Sequence, residues 1–474
     1  MSRALWLIGL LIALVAIPDL AFAQDAQVHL RQITTDGAST SWADRALSLF
    51  GLAVLIGLGA LFSTNRKAIN WRTIGWGVGL QLFFGVLVLK TSPGRSLFSF
   101  MNDLVAGLLR FSDEGASFLF GNLLKPNIPV GPANGPYGAI ESVEMWGNTG
   151  ALMAFSVLPT IIFFSCLMSV LYHLGAMQPV VKAFAWLMAR TMKTSGAESL
   201  SAASNIFVGQ TEAPLVIRPF VNTMTKSELM AVMTGGLATV AGGVLAAYVG
   251  MLQGTFPDIA GHLISASVLS APAALVMAKL MLPETEQAET MGQVVMHDEK
   301  VAVNAVDAAA RGAGDGLMLA LNVGAMLIAF LALVAMINFG VGWVGGLVGI
   351  EGLTMQVILG YVLWPLAWVM GVPAADCTII AQLFGERFIL NEFISYLHLA
   401  EILNSDTVLQ DRSVIIATYG LCGFANLGSI GIQLGGIGGI APDRRSDLAL
   451  LGFKALIAGT LASFMTATVA GMLL

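Results

Sequence analysis

Residues 193–226 read KTSGAESLSAASNIFVGQTEAPLVIRPFVNTMTK, and the stretch is neither a clean membrane span nor a clean loop. It is moderately apolar, is interrupted by Gly209 and Pro214, and carries Glu198 and Glu212. Lipid satisfies no backbone N–H or C=O, so non-helical backbone survives at membrane depth only where protein or a water-lined cavity takes up those groups. The stretch therefore reads as a re-entrant hairpin over about 196–222. A second segment of the same kind runs from about 374 to 400, with Asp376, Glu386, Arg387 and the Asn391-Glu392 pair.

Hairpins of this type need a membrane around them, and the rest of the chain provides one. Of 474 residues, 56% are hydrophobic and 11% charged, against roughly 25% charged in a soluble domain. The stretches 46–65, 73–89, 145–181, 229–257, 316–350, 413–442 and 455–474 contain no Asp, Glu, Lys or Arg. Each is long enough to span, since a helix needs about 17–25 residues to cross a bilayer. The chain is thus expected to be an all-α integral membrane protein. A net charge of −6 excludes a basic nucleic-acid footprint.

At the N-terminus, Arg3, the apolar run Leu5 to Ile17, Pro18 and Ala21-Phe22-Ala23 form a signal-peptide pattern over residues 1–23. The alternative keeps Leu5 to Ala21 as a short first span. Either way residues 24–45 are expected to be a periplasmic segment, which implies a bacterial inner membrane. Arg66, Lys67 and Arg72 set the first connection in the cytoplasm, because Lys and Arg bias orientation. Residues 46–145 are then N-terminal scaffold helices followed by an extracellular helix and loop, the loop marked by Pro126, Pro129, Pro132 and Pro136. Lys182, Arg190, Lys193, Arg218 and Lys226 return the chain to the cytoplasm.

Two halves, 146–282 and 315–474, repeat one order: span, interfacial stretch, hairpin, broken helix, span. The breaks are expected at Thr239 to Gly243 and at Gly423 to Gly431. Each half crosses an odd number of times, so the halves are inverted. Inverted repeats with interrupted helices in matching places point to a transporter site near the midplane. The Glu- and Asp-rich residues 283–314 are read as a cytoplasmic linker.

Carboxylates at that depth cost about 2.5–3.5 kcal/mol on insertion scales, so Glu212 and Glu392 need a reason. One is an ion pair with Arg218 or Arg387. The other is a polar site in which they accept hydrogen bonds from ligand hydroxyls. The neighbours Gln210, Thr211, Asn391, Phe424, Asn426 and Ser429 suit a ligand with polar edges and a flat face.

The runs Asn205 to Leu215 (NIFVGQTEAPL), Asn391-Glu392-Phe393 and Gly423 to Ile430 (GFANLGSI) resemble the signatures of the concentrative nucleoside transporters. The resemblance covers about residues 45–474. It implies a homotrimer, each protomer with a scaffold domain and a transport domain that moves as an elevator. It also implies base contacts from Gln210, Thr211 and Glu212, with Val244 packed on the base and Phe424 nearby, and ribose contacts from Glu392, Asn426 and Ser429. A Na+ site is implied at the Asn205 and Thr239 side chains and the Val208 and Val240 carbonyls. Two positions depart from the family pattern: Thr239 and Gly428 stand where Ser is common. The expected function is symport of a cation, Na+ first and H+ as the alternative, with nucleosides such as uridine. Another polar hydroxylated solute is the remaining alternative.

Other chemistries lack their residues. Cys166, Cys377 and Cys422 are apart in apolar surroundings, and the five histidines form no HExxH pair. The glycine clusters 312–316 and 435–439 follow no strand and precede no Gly-Lys, so no phosphate loop is read. No GxSxG occurs. Neither an enzyme nor an organic cofactor is expected.

Overall fold

The computed structural model describes residues 32–35, 37–38, 40–124, 127–130, 145–148, 153–294 and 302–474. The signal-peptide reading of 1–23 and the segment as far as residue 31 lie outside the described residues.

The chain opens with two apolar helices, α1 (Trp42–Leu61) and α2 (Trp71–Lys90), then α3 (Ser92–Phe120). Ser41 and Asp44 form a capping box at the start of α1, satisfying backbone donors that no preceding turn can pair. The helix α3 is amphipathic: Val105, Leu109, Ser112 and Ala116 are buried, while Phe111 and Phe118 are exposed. Part of the expected loop is an antiparallel ribbon of β1 (Asn127–Val130) and β2 (Met145–Asn148). Pro129 is tolerated there because both strands of a two-stranded ribbon are edges.

The first repeat, expected over 146–282, is described from a π-helical turn (Met153–Val157) leading into α4 (Leu158–His173). It continues through α5 (Gln178–Met192), α6 (Gly196–Ser204), a 3-10 helix (Ala213–Phe220), α7 (Lys226–Ala238), α8 (Gly242–Leu252) and α9 (Ile259–Met281). The second repeat runs α10 (Ala305–Leu347), α11 (Met355–Val369), α12 (Cys377–Ile389), α13 (Glu392–Leu403), α14 (Asp411–Leu421), α15 (Leu427–Ile440) and α16 (Arg445–Leu473). Within the stretch expected as a linker, 283–314, residues 305–314 are the first turns of the 43-residue α10. Asn304 caps that helix through Asp307 N, and the Ala-rich first turns propagate it.

Among the described residues, seven segments are long and apolar enough to span by length and composition. The pair α14 and α15 escapes that count because each part alone is too short.

The inversion of the repeats follows from what the hairpin ends touch. Gly196 N donates to Thr290 O, and Thr225 Oγ1 donates to Glu284 Oε2 at 2.8 Å, so hairpin 1 starts and ends at the linker beyond the C-terminus of α9. In hairpin 2, Asp376 Oδ2 accepts from Gln410 N and Ser413 Oγ. The neighbouring Asp411 accepts from Thr34 N, and Thr35 Oγ1 donates to Asp258 at the N-terminus of α9. A 23-residue helix is about 34 Å long, so the hairpins open toward opposite faces.

Candidate functional site

Four chain ends converge where the hairpins meet the broken helices. The helices α6 and α7 stop there with their C-termini, at Ser204 and Ala238, and α13 and α15 start there with their N-termini, at Glu392 and Leu427. C-terminal ends carry partial negative charge and favour a cation; N-terminal ends carry partial positive charge and favour an anion or an acceptor. The two breaks cross: Phe424 N donates to Thr239 O at 3.3 Å, and Gly242 N donates to Phe207 O at 3.3 Å, docking the first break on hairpin 1. Gly423 permits the crossing, since a Cβ there would stand 2.7 Å from Ser463 Oγ and 3.0 Å from the Ala238 carbonyl.

Around this junction lies a cavity of about 110 Å³ that opens to one side. Gln210, Thr211, Glu212, Val244, Glu392, Phe424, Asn426 and Ser429 all line it, so eight residues from four separate stretches meet at one space. Its opposite wall is apolar: Leu319, Val323, Met326 and Phe330 of α10. These four were not legible in the sequence. Their spacing fits one helix face, but α10 is apolar on every side and its periodicity singles out none.

Glu392 is buried at the first position of α13, with Asn391 as N-cap accepting from Ile394 N at 2.9 Å. Glu392 Oε1 accepts from Tyr248 Oη at 2.9 Å, and Oε2 accepts from Asn426 Nδ2 at 3.1 Å. Among the described residues no direct ion pair joins Glu392 or Glu212 to a cation, although the buried Arg387 is near enough to attract Glu392 electrostatically. Glu392 instead rests on the helix terminus and two neutral donors. Tyr248 was missed; the signal was a phenol in the middle of a charge-free span, where a buried O–H requires a partner. Its ring stacks on Tyr396 with centroids 4.2 Å apart. Asn426 is more committed than expected, because its Oδ1 also caps α15 through Ser429 N at 2.9 Å. Ser429 Oγ accepts from Gln210 Nε2 at 3.2 Å.

Asn205, Val208, Thr239 and Val240 lie at the adjoining C-terminal ends of α6 and α7. Asn205 is 1% exposed, donates through Nδ2 to Ser201 O at 3.1 Å, and holds Oδ1 buried without a donor. Thr239 is extended (φ −124°, ψ 167°), and its Oγ1 donates to Gly235 O, leaving the oxygen lone pairs free to coordinate. An unpaired buried amide oxygen, a hydroxyl and two carbonyl groups at helix C-termini are the hard oxygen donors that a sodium ion takes.

Comparison with known proteins identifies the family. Residues 50–123 match the family profile described as Na+ dependent nucleoside transporter N-terminus, 154–255 match one described as nucleoside recognition, and 262–471 match Na+ dependent nucleoside transporter C-terminus. An uncharacterized transporter of Haemophilus influenzae is 45% identical over 90% of this chain and 97% of its own. Sodium/nucleoside cotransporter 2 of Rattus norvegicus is 42% identical over 91% of this chain, which spans 63% of the rat protein's length. CNTnw in an inward-facing substrate-bound state superposes with a TM-score of 0.80 at 43% identity, covering 91% of this chain and 98% of that one. A doubly substituted CNTnw in an outward-facing state gives 0.82 at the same identity and coverage. With the inverted hairpins, the crossed breaks and a polar cavity between them, the chain belongs to the family of Na+-dependent concentrative nucleoside transporters.

Proposed function

We propose that this protein is a secondary active symporter that takes up nucleosides such as uridine across a bacterial inner membrane, with Na+ as the coupling ion. The observation that carries the reading is Glu392 held between Tyr248 and Asn426 in a cavity whose far side offers Gln210, Thr211 and Glu212. A ribose hydroxyl donates to the remaining lone pairs of Glu392, and the Gln210, Thr211 and Glu212 side chains read the polar edge of the base. Val244 and Phe424 pack on its faces. An ionised carboxylate accepts such bonds more strongly than a neutral group does, and a helix N-terminus favours the ionised form.

Na+ fits at Asn205 and Thr239 with the Val208 and Val240 carbonyls, and it supplies the downhill gradient. The donors stand on the hairpin 1 turn and the first helix break, the same backbone that presents Gln210 and Val244. A cation there orders the cavity wall, so each ligand raises the affinity for the other, as linkage requires.

The apolar wall from α10 suits an elevator: a unit of hairpins and broken helices carries the substrate past a surface that offers it no hydrogen bonds. The scaffold then includes α4 and α10, and three protomers assemble as the family resemblance implies. Exposed apolar residues on α10, among them Ile328 and Phe339, are available to lipid and to neighbouring protomers.

The test is uptake of labelled uridine into proteoliposomes under an imposed inward Na+ gradient, with unlabelled solutes in competition. Nucleosides should compete and other hydroxylated solutes should not. Uptake driven by a pH gradient and indifferent to Na+ would replace the coupling ion.

A further inference from the structure

Gln433 lies on α15 one turn beyond Ser429, is fully buried, and is not among the residues that line the cavity. Its Nε2 donates to Met233 O on α7 at 2.9 Å. That carbonyl only accepts, so the orientation of the amide is set and Oε1 faces away from it. Oε1 is buried without a donor, and so is Oε1 of Gln210. Gly236 brings the two amides together: a Cβ at that position would stand 2.7 Å from Gln210 Cβ and 2.7 Å from Gln433 Nε2. The two atoms therefore lie within twice that distance of each other, a gap one glutamine side chain covers.

Buried acceptors without donors are uncommon in native proteins and call for an explanation. We propose that Gln433 is a positioning residue for base recognition, providing the buried acceptor that takes the Gln210 N–H when a nucleoside claims Ser429. The inference rests on the nucleoside reading of the cavity. In the arrangement described, Gln210 Nε2 is committed to Ser429 Oγ, and the substrate needs both groups. A ribose hydroxyl that takes Ser429 leaves one Gln210 N–H to be placed. Giving it to Gln433 Oε1 turns Gln210 Oε1 toward the cavity, where it presents an acceptor to a base that carries an N–H on that edge. Gly236 is required because any side chain there would separate the two amides.

The test measures competition binding to the purified full-length protein with uridine, adenosine and 1-O-methyl riboside, which keeps the sugar and lacks the base. In Gln433→Met, which keeps the length and removes the polar atoms, nucleosides should weaken roughly tenfold, the worth of one hydrogen bond. The factor should differ between the two bases, and the riboside, which frees the Gln210 N–H but offers no base edge to Gln210 Oε1, should weaken less than either nucleoside. Gly236→Ala, which displaces both amides and removes neither, should give the same base-dependent loss and decides the matter if Gln433→Met does not fold. An equal factor for all three ligands, or no change in either variant, overturns the role. Failure of the unsubstituted protein to bind any nucleoside is a different result and overturns the nucleoside reading itself.

Discussion

The Tyr248 hydroxyl donates to Glu392 Oε1 at 2.9 Å across a separation of 144 residues, tying the second part of the first broken helix to the start of α13. The carboxylate is thereby held in one rotamer with both oxygens partly satisfied, the other by Asn426. A buried charge supported in this way keeps free lone pairs for a ligand without being left unpaired when none is bound.

Glu392→Gln should therefore narrow the difference in affinity between uridine and uracil. A hydrogen bond to a charged group contributes about 1.5–3 kcal/mol, or roughly 10–150-fold in affinity, and the amide replaces it with a weaker one. Tyr248→Phe should have a smaller effect, a few-fold on uridine, because Asn426 still holds the carboxylate. Calorimetric titration with both ligands reads this, and an unchanged uridine-to-uracil ratio in Glu392→Gln removes Glu392 from the ribose contacts.

Asn205→Ala and Thr239→Ala should raise the Na+ concentration that gives half-maximal uridine uptake, while Thr239→Ser, which keeps the hydroxyl, should leave it within about twofold, well inside the tenfold span of 1.4 kcal/mol. Sodium titration of uptake in proteoliposomes measures it. Equal sodium dependence in all four proteins counts against this site.

Gly423→Ala should reduce uptake strongly. The added Cβ meets Ser463 Oγ and the Ala238 backbone, so the two breaks must part and both the Thr239 and Phe424 positions shift. Gly435→Ala, where the added Cβ meets nothing within 4 Å, is the control; comparable transport by both variants would refute the crossing as a requirement.

For stability a sensitive point is Lys279, buried between Glu198 at 2.7 Å and Glu284 at 3.3 Å, with Ser227 Oγ accepting at 2.9 Å. Lys279→Ala leaves Glu198, 2% exposed, as an uncompensated buried charge, and the loss should be about 3–5 kcal/mol. The double variant Lys279→Met with Glu198→Gln should recover part of it, since two neutral groups need no counter-charge. Denaturant unfolding in detergent compares the two, and a double variant no more stable than the single one contradicts the mechanism.

Topology is open to direct labelling. With Cys166, Cys377 and Cys422 replaced, a single cysteine at Lys226 should react only from the cytoplasm and one at Gln32 only from the periplasm. Reversed reactivity would invert the orientation.

Local chemistry determined by itself that this chain lives in a membrane and folds as paired hairpins and interrupted helices. Charge-free stretches, Gly209, Pro214 and Gly423, and the lone carboxylates Glu212 and Glu392 each carry their meaning within a few residues, because desolvation of a charge or of a backbone amide is a local cost. The three short runs around Gln210, Asn391 and Asn426 also named the polar residues of the cavity, since polar groups inside apolar sequence stand out. Only the tertiary structure decided what surrounds them. The partnership of Tyr248 with Glu392, the approach of Gln433 to Gln210 over Gly236, the apolar wall of α10 and the helical identity of residues 305–314 all depend on contacts between distant segments. Within an apolar chain no periodicity distinguishes the side facing a cavity from the side facing lipid, and packing alone makes that choice.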